Sequence, residues 1–516
     1  MKNKLIGLLG LAVALTACDV DNELGAIAPE TTPTIALTEG SADFSKFVSI
    51  GASFASGFSD GALFVAGQEN SYPNIMASKF AMAGGGDFAQ PLMADNIGGM
   101  LFGGTQIQNP RYYFDGAGPA PLDATPTTEG TTVLSGPFNN MGVPGMKSLH
   151  LGVAGYGNLA GVPVGMANPY YARMASSGSA SVLQDVLVQA PTFFSLSEIG
   201  GNDVLSFAIS GGTGVDQTGN FDPTTYGGSD ITDPNVFAAI FSGTVDALTA
   251  GGAKGVVANL PNITHLPYFT TVPHNPVPLD QGTADMLNSD AAFGAYNSGV
   301  QQAFGAAAFF GMISAEVAAA QIAQRTITFA AGADNALVIV DETLINLHEF
   351  SAAFPVIPQY RQATANDLIV LPAATFIGTT VGGDPTLING VSVPLEDQWV
   401  LIPSEQASIA TATASYNATI EGVAAAKGLA MVDLDGVMEQ AANGGIAFDD
   451  FNMTTSLVFG GAVSLDGIHL TGRGYALMAN KMLAAIDAAY GSNFSEATGG
   501  LAKAYDYPTH YSPTMQ

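Results

Sequence analysis

Cysteine is almost missing from this chain: Cys18 is the one example, so no disulfide can form within a single copy and no thiol pair is available to hold a metal. Basic residues are scarce as well. Fourteen Lys and Arg stand against 44 Asp and Glu, a formal net charge of −30. That balance argues against a nucleic-acid partner, whose phosphates demand a basic surface. Histidine numbers six, and no His or Cys cluster has metal-ligand spacing, so neither a metal nor another cofactor is expected. Crossing a bilayer as a helix takes ~20 apolar residues, and no stretch of 44–490 is long and apolar enough. Only 11% of residues are charged while 47% are hydrophobic, which leaves ample material for a large core. That length suits two average domains or one enlarged one.

What is present begins with an export signal. Lys2 and Lys4 precede an apolar run from Leu5 to Leu15 that ends in Leu15-Thr16-Ala17-Cys18, the basic start and small-residue finish of a cleaved leader. Those last four residues resemble the lipobox of bacterial lipoproteins. The resemblance implies acyl chains on Cys18, and two or more chains make a stable membrane anchor. An exported lipoprotein at the outer membrane or cell surface is therefore expected. Residues 19–43, rich in Asp, Glu, Pro and Thr and without sustained periodicity, read as a flexible acidic tether. Within it Asp19, Asp21 and Glu23 are similar to the acidic run that marks surface delivery in some lipoproteins.

Residues 44–490 alternate short apolar runs with helical patterns, the signature of a parallel sheet covered by helices. Phe47–Ile50 stops at Gly51, and Phe193–Ile199 stops at Gly200-Gly201-Asn202-Asp203. Asp233 and Pro234 open a helix that Gly251-Gly252 closes, followed by a strand over Val256–Leu260. Ser404 is placed as the cap of a further helix that Gly428 ends, with a strand over Leu429–Val432. A last helix starts near Thr471, and 491–516 form a C-terminal tail. Long irregular pieces at 84–135, 208–232, 261–283 and 372–398 are expected to decorate one core.

Serine-type acyl transfer needs a hydroxyl nucleophile, a base, a group that orients the base, and donors for the oxyanion. Ser53 follows the first strand, where a strand-to-helix turn would present its oxygen and N–H. Read alone, it is equally an ordinary turn serine. Asp466-Gly467-Ile468-His469 is more specific, because a three-residue separation lets a tight turn bring the carboxylate to one ring nitrogen and leave the other free. Asn202 would offer an amide to an oxyanion, and Gly145 a free N–H. Each of these two is also compatible with a plain turn. His150, His265, His274, His348 and His510 lack an acid at matching spacing and read as structural.

Together and in this order the four pieces resemble the sequence blocks of SGNH hydrolases, the GDSL-type esterases and lipases. The resemblance covers the core of 44–490 but not the long loops. It implies an α/β fold of the flavodoxin-like kind, a three-layer sandwich with a parallel central sheet and loop insertions. It also implies Ser53, His469 and Asp466 as catalytic residues, with an oxyanion hole made by the N–H groups of Ser53 and Gly145 and the Asn202 amide. One departure stands out: Ala52 and Phe54 replace the usual Asp and Leu beside the serine, so an altered hydrogen-bond network is expected there. The expected substrate is an ester of a lipid or an acylated glycan. Two alternatives remain: an esterase for acetylated sugars, and a non-catalytic surface lipoprotein that binds glycan or lipid. Nothing in the sequence indicates an oligomeric state.

Overall fold

The computed structural model describes residues 34–516. The leader, Cys18 and residues 19–33 of the tether lie outside the described residues.

The sheet is built from β1 (Phe47–Gly51), β2 (Asn140–Gly142), β3 (Phe193–Leu196), β4 (Lys254–Ala258) and β5 (Ala430–Val432). All its pairings are parallel, in the order β5-β4-β3-β1-β2. Taken from the other edge this is 2-1-3-4-5, a common order of doubly wound sheets, in which ligands bind past the carboxyl ends of the strands where the winding reverses, between β1 and β3. Side chains along a strand point to alternate faces, and that alternation sets the layers. Phe47, Phe193 and Val256 enter one apolar cluster. Val48, Phe194 and Val257 enter the opposite one.

Helices that cover the sheet or belong to its insertions include α1 (Ser53–Ser56), α2 (Tyr72–Ala81), α3 (Gly201–Ile209), α4 (Pro234–Thr249), α5 (Phe293–Phe309), α6 (Ala315–Arg325), α7 (Pro403–Lys427) and α8 (Gly472–Tyr490). Ile75, Met76 and Phe80 of α2 and Tyr475, Met478, Met482 and Ile486 of α8 close the first face. Phe207 of α3, Phe237, Phe241 and Val245 of α4, and Ile409, Tyr416 and Ile420 of α7 close the second. The architecture is thus α/β, with helices on both sides of a five-stranded parallel sheet. Among the described residues no helix is long and apolar enough to cross a membrane.

The starts of α4 and α8 fall where capping chemistry puts them. Asp233 Oδ1 accepts from Asn235 N and Val236 N at 2.8 and 3.0 Å, and Thr471 Oγ1 accepts from Gly474 N at 2.9 Å. The start of α7 differs from expectation. Ser404 lies inside the first turn, the cap is Ile402, and Glu405 Oε2 accepts from Ile402 N at 2.8 Å. Pro403 explains the shift: it lacks an N–H, and the first helical position is where that loss costs nothing.

Two boundaries move. Residues 35–43, read as tether, are packed: Thr38 N donates to Asn493 Oδ1 at 2.8 Å, Ser41 N to Tyr490 O at 2.8 Å, and Ala42 is buried. Tyr490 ends α8, and the segment after it, read as a tail, supplies Asn493. Its own Phe494 and Tyr511 are buried, and Arg111 Nη2 donates to Ser512 O and Met515 O at 2.6 and 3.0 Å. Both segments therefore belong to the folded body.

Candidate active site

Gly51 ends β1 at the point where three strands' exits meet. It pairs with Gly142 across the sheet, and Val143 N donates back to Gly51 O at 3.0 Å. On the other side stands Glu198, so close that a Cβ at Gly51 would lie 2.6 Å from Glu198 Oε1. No larger residue fits. Ser53, two residues on, opens α1 and is 8% exposed.

The loop leaving β2 carries Gly145, whose φ of +77° suits glycine and whose Cα faces open space. The next residue, Met146, accepts a hydrogen bond from Asn202 Nδ2 at 3.0 Å. Asn202 sits in the first turn of α3, after Gly200 at φ +102°. Its neighbour Asp203, fully buried, accepts from Ser148 N at 2.8 Å and from Ser148 Oγ at 2.6 Å. The Gly145 loop and the Asn202 turn are thus fastened together.

The Asp466–His469 pair forms as its spacing predicts. Asp466 Oδ2 accepts from His469 Nδ1 at 2.8 Å, and Oδ1 accepts from the N–H groups of Ile468 and His469, both at 2.8 Å. Burial alone would raise this carboxyl; the adjacent imidazole and the hydrogen bonds outweigh it and hold Asp466 below the usual carboxylate range. The pair is mounted on the segment that follows Ser53. Gly61 N donates to Asp466 Oδ2 at 2.8 Å, Asp60 N to Ser464 Oγ at 3.0 Å, and Ser59 Oγ to Leu470 O at 3.0 Å. The His469 ring packs 4.6 Å from Phe58 and edge-on at 5.7 Å to Phe54, centroid to centroid.

Two expected contacts are not made. Ser53 Oγ forms no hydrogen bond with His469, and the Asn202 amide is engaged by Met146 O. In serine hydrolases such bonds are often long without substrate and tighten in the complex.

Sequence reasoning missed Glu198. Its Oε1 accepts from Ala52 N at 2.7 Å and Ala55 N at 2.8 Å, and its Oε2 accepts from Ser197 Oγ. Burial pushes this carboxyl up to about 7. The signal was present, since Ser197-Glu198 interrupts an otherwise apolar run ahead of the glycines. Asp60 was missed too. It is buried, Leu465 N donates to its Oδ1 at 3.0 Å, its Oδ2 has no partner, and burial, with the Asp466 charge adding to it, pushes it up to about 7.

A small apolar recess of about 60 Å³ lies behind Phe54 and Leu470, the residues that follow Ser53 and His469. Leu434, Val437, Val463 and Met478 help line it. Among the described residues one carboxylate group has metal-ligand proximity: Glu342, Asp397 and Glu405, with oxygens within 4.8 Å of one another. It lies among the residues of the insertion and the start of α7. Comparison with family models, with curated proteins and with solved structures finds no match.

Proposed function

We propose that this chain is a carboxylic-ester hydrolase of the SGNH type, working through an acyl-enzyme on Ser53. The observation that supports it most is the Asp466–His469 hydrogen bond at 2.8 Å, built onto the segment leaving Ser53 through Gly61 N and Asp466 Oδ2. This ensemble stands at the β1/β3 exit, where the winding of the sheet reverses.

In this reading His469, its Nδ1 held by Asp466, takes the Ser53 proton at Nε2 as the serine attacks the ester carbonyl. The N–H groups of Ser53 and Gly145 and the Asn202 amide receive the oxyanion, and the imidazolium returns its proton to the departing alkoxide. Water activated by the same imidazole then releases the acid and restores Ser53. The lipobox-like Leu15–Cys18 places the protein, in this proposal, on an exported membrane surface through lipid at Cys18.

The engaged Asn202 amide and the unbonded Ser53 hydroxyl favour the second reading, a surface lipoprotein that binds without turnover. Release of p-nitrophenol from short and medium acyl esters separates the two. Turnover by the wild-type chain that Ser53→Ala abolishes supports the hydrolase. Turnover in neither supports the binding protein, and equal turnover in both overturns the Ser53 mechanism.

A further inference from the structure

The hydrolase reading leaves the buried Glu198 carboxyl without a task. Glu198 sits at the end of β3 with φ +48°, a conformation uncommon for a residue with a Cβ, and such outliers concentrate where function over-determines the backbone. One carboxylate oxygen, Oε1, accepts from Ala52 N and Ala55 N, the donors on either side of the Ser53 peptide. The other is turned by Ser197 Oγ, itself bonded at 2.8 Å to Tyr72 OH, which sits 3.4 Å from Ser49 Oγ; Ser49 in turn accepts from Ser195 Oγ at 2.8 Å. Four buried polar side chains, Ser197, Tyr72, Ser49 and Ser195, thus aim one carboxylate at one turn.

The same residue begins the oxyanion segment. Glu198 O accepts from Gly201 N at 2.9 Å, and Asn202 follows directly. Through side chain and backbone Glu198 therefore touches both halves of the site, on β1 and on β3. Position 52, directly before the nucleophile, is alanine and has no polar side chain to brace the turn. Gly51 completes the arrangement, because its missing Cβ makes the room Glu198 Oε1 occupies.

We propose that Glu198 is the positioning residue of the nucleophile turn: its carboxylate holds the Ala52–Ala55 backbone, and with it Ser53, in register with Asn202. It makes no hydrogen bond to Ser53 Oγ or to His469, so it acts through the backbone and takes no proton from the reaction. The inference rests on the hydrolase reading.

The test uses the full chain as wild type and as Glu198→Ala, Glu198→Gln and Glu198→Asp, assayed on p-nitrophenyl esters. Active sites are counted by titration with a fluorophosphonate, which labels an activated serine. Misplacing a catalytic group by about an ångström costs on the order of 10²-fold. Glu198→Ala is expected to lower kcat per titrated site by about that factor with KM little changed. Glu198→Asp, which withdraws the oxygen by one methylene, is expected to fall between. Glu198→Gln keeps an isosteric oxygen facing both N–H groups and is expected to recover kcat to within about tenfold of wild type.

A purely structural role would instead lower the number of titrated sites and leave kcat per site unchanged, which overturns the proposal. Glu198→Gln as impaired as Glu198→Ala overturns it as well. Where Glu198→Ala does not fold, the isosteric pair decides: Gln faster than Asp supports the proposal, and Asp equal to or faster than Gln overturns it. A wild-type chain with neither turnover nor Ser53 labelling overturns the hydrolase reading and this inference together. Turnover that the Glu198 variants leave untouched overturns this inference alone.

Discussion

The edge of the sheet and the insertion between β4 and α7 are held by opposite means. At the edge, hydrogen bonds cross between segments 55 to 405 residues apart: Gly61 to Asp466, Leu465 to Asp60, Ala52 to Glu198, Ser148 to Asp203. Each bond also fixes a residue of the candidate site. In the insertion, α5 and α6 share a small apolar cluster around Val300, Phe304 and Ala318. Beside it Arg361 is clamped by Asp341 and Asp367 at 2.5 and 2.7 Å, all three buried. That ion network reaches no residue of the candidate site. Polar connections at the edge therefore serve position, while the Arg361 ion network serves stability, and substitutions at these two places should separate activity from folding.

The largest separation is expected at Ser53. On the proposed mechanism Ser53→Ala removes the nucleophile and should lower kcat on ester substrates by roughly 10⁶-fold. The side chain is small and donates no hydrogen bond to lose, so the thermal midpoint should not move. Asp466→Asn comes next. It keeps the shape but favours the wrong imidazole tautomer, a change expected to lower kcat by about 10⁴-fold. Steady-state kinetics beside thermal melts check both, and a Ser53→Ala protein that still turns over ester would break the contrast at its strong end.

Arg361→Met tests the other region. Removing one member of a buried ion network leaves Asp341 and Asp367 uncompensated and should cost about 3–5 kcal/mol of stability. The kcat of the protein that remains folded should equal wild type. Denaturant unfolding with kinetics per titrated site gives both numbers. A fall in kcat per site would mean that the insertion reaches the chemistry.

The edge was also the more legible region, for a physical reason. Strands β1 and β3 announce themselves by apolar runs that end at glycine, α4 and α8 by caps, and the Asp466–His469 pair by a spacing that one tight turn satisfies. β2 was hidden because Asn140-Met141-Gly142 has no strand propensity; parallel pairing to β1 makes it a strand. In the insertion, α5 runs through Gly294, Asn297, Ser298, Gly299 and Gly305, residues that weaken a helical signal, so tertiary packing decides its fold. Glu198 escaped notice because a buried carboxylate is recognisable only once its donors, from another strand, are in place.

The smallest expected effect sharpens the contrast between two carboxylates. Asp466 faces an imidazole and is held low; Glu405, at the start of α7, faces Asp397, Glu342 and Asp341. Burial first, and then those like charges, push Glu405 from 4.5 up to about 8, and burial pushes Asp397 up to about 6. A folded-state value above the unfolded one means the native chain binds the proton more tightly. The stability Glu405 contributes is thus fully present below about pH 4.5 and is lost as pH rises to about 8. Glu405→Gln keeps the oxygen that accepts from Ile402 N, since Glu and Gln both serve that capping role, and it stays neutral throughout. The variant should match wild type near pH 5 and exceed it by on the order of 1–3 kcal/mol above pH 8. Because Asp397 also titrates in this window, the comparison is made against wild type at each pH in denaturant unfolding. An advantage of equal size at both pH values would show that shape, and not the proton, explains it.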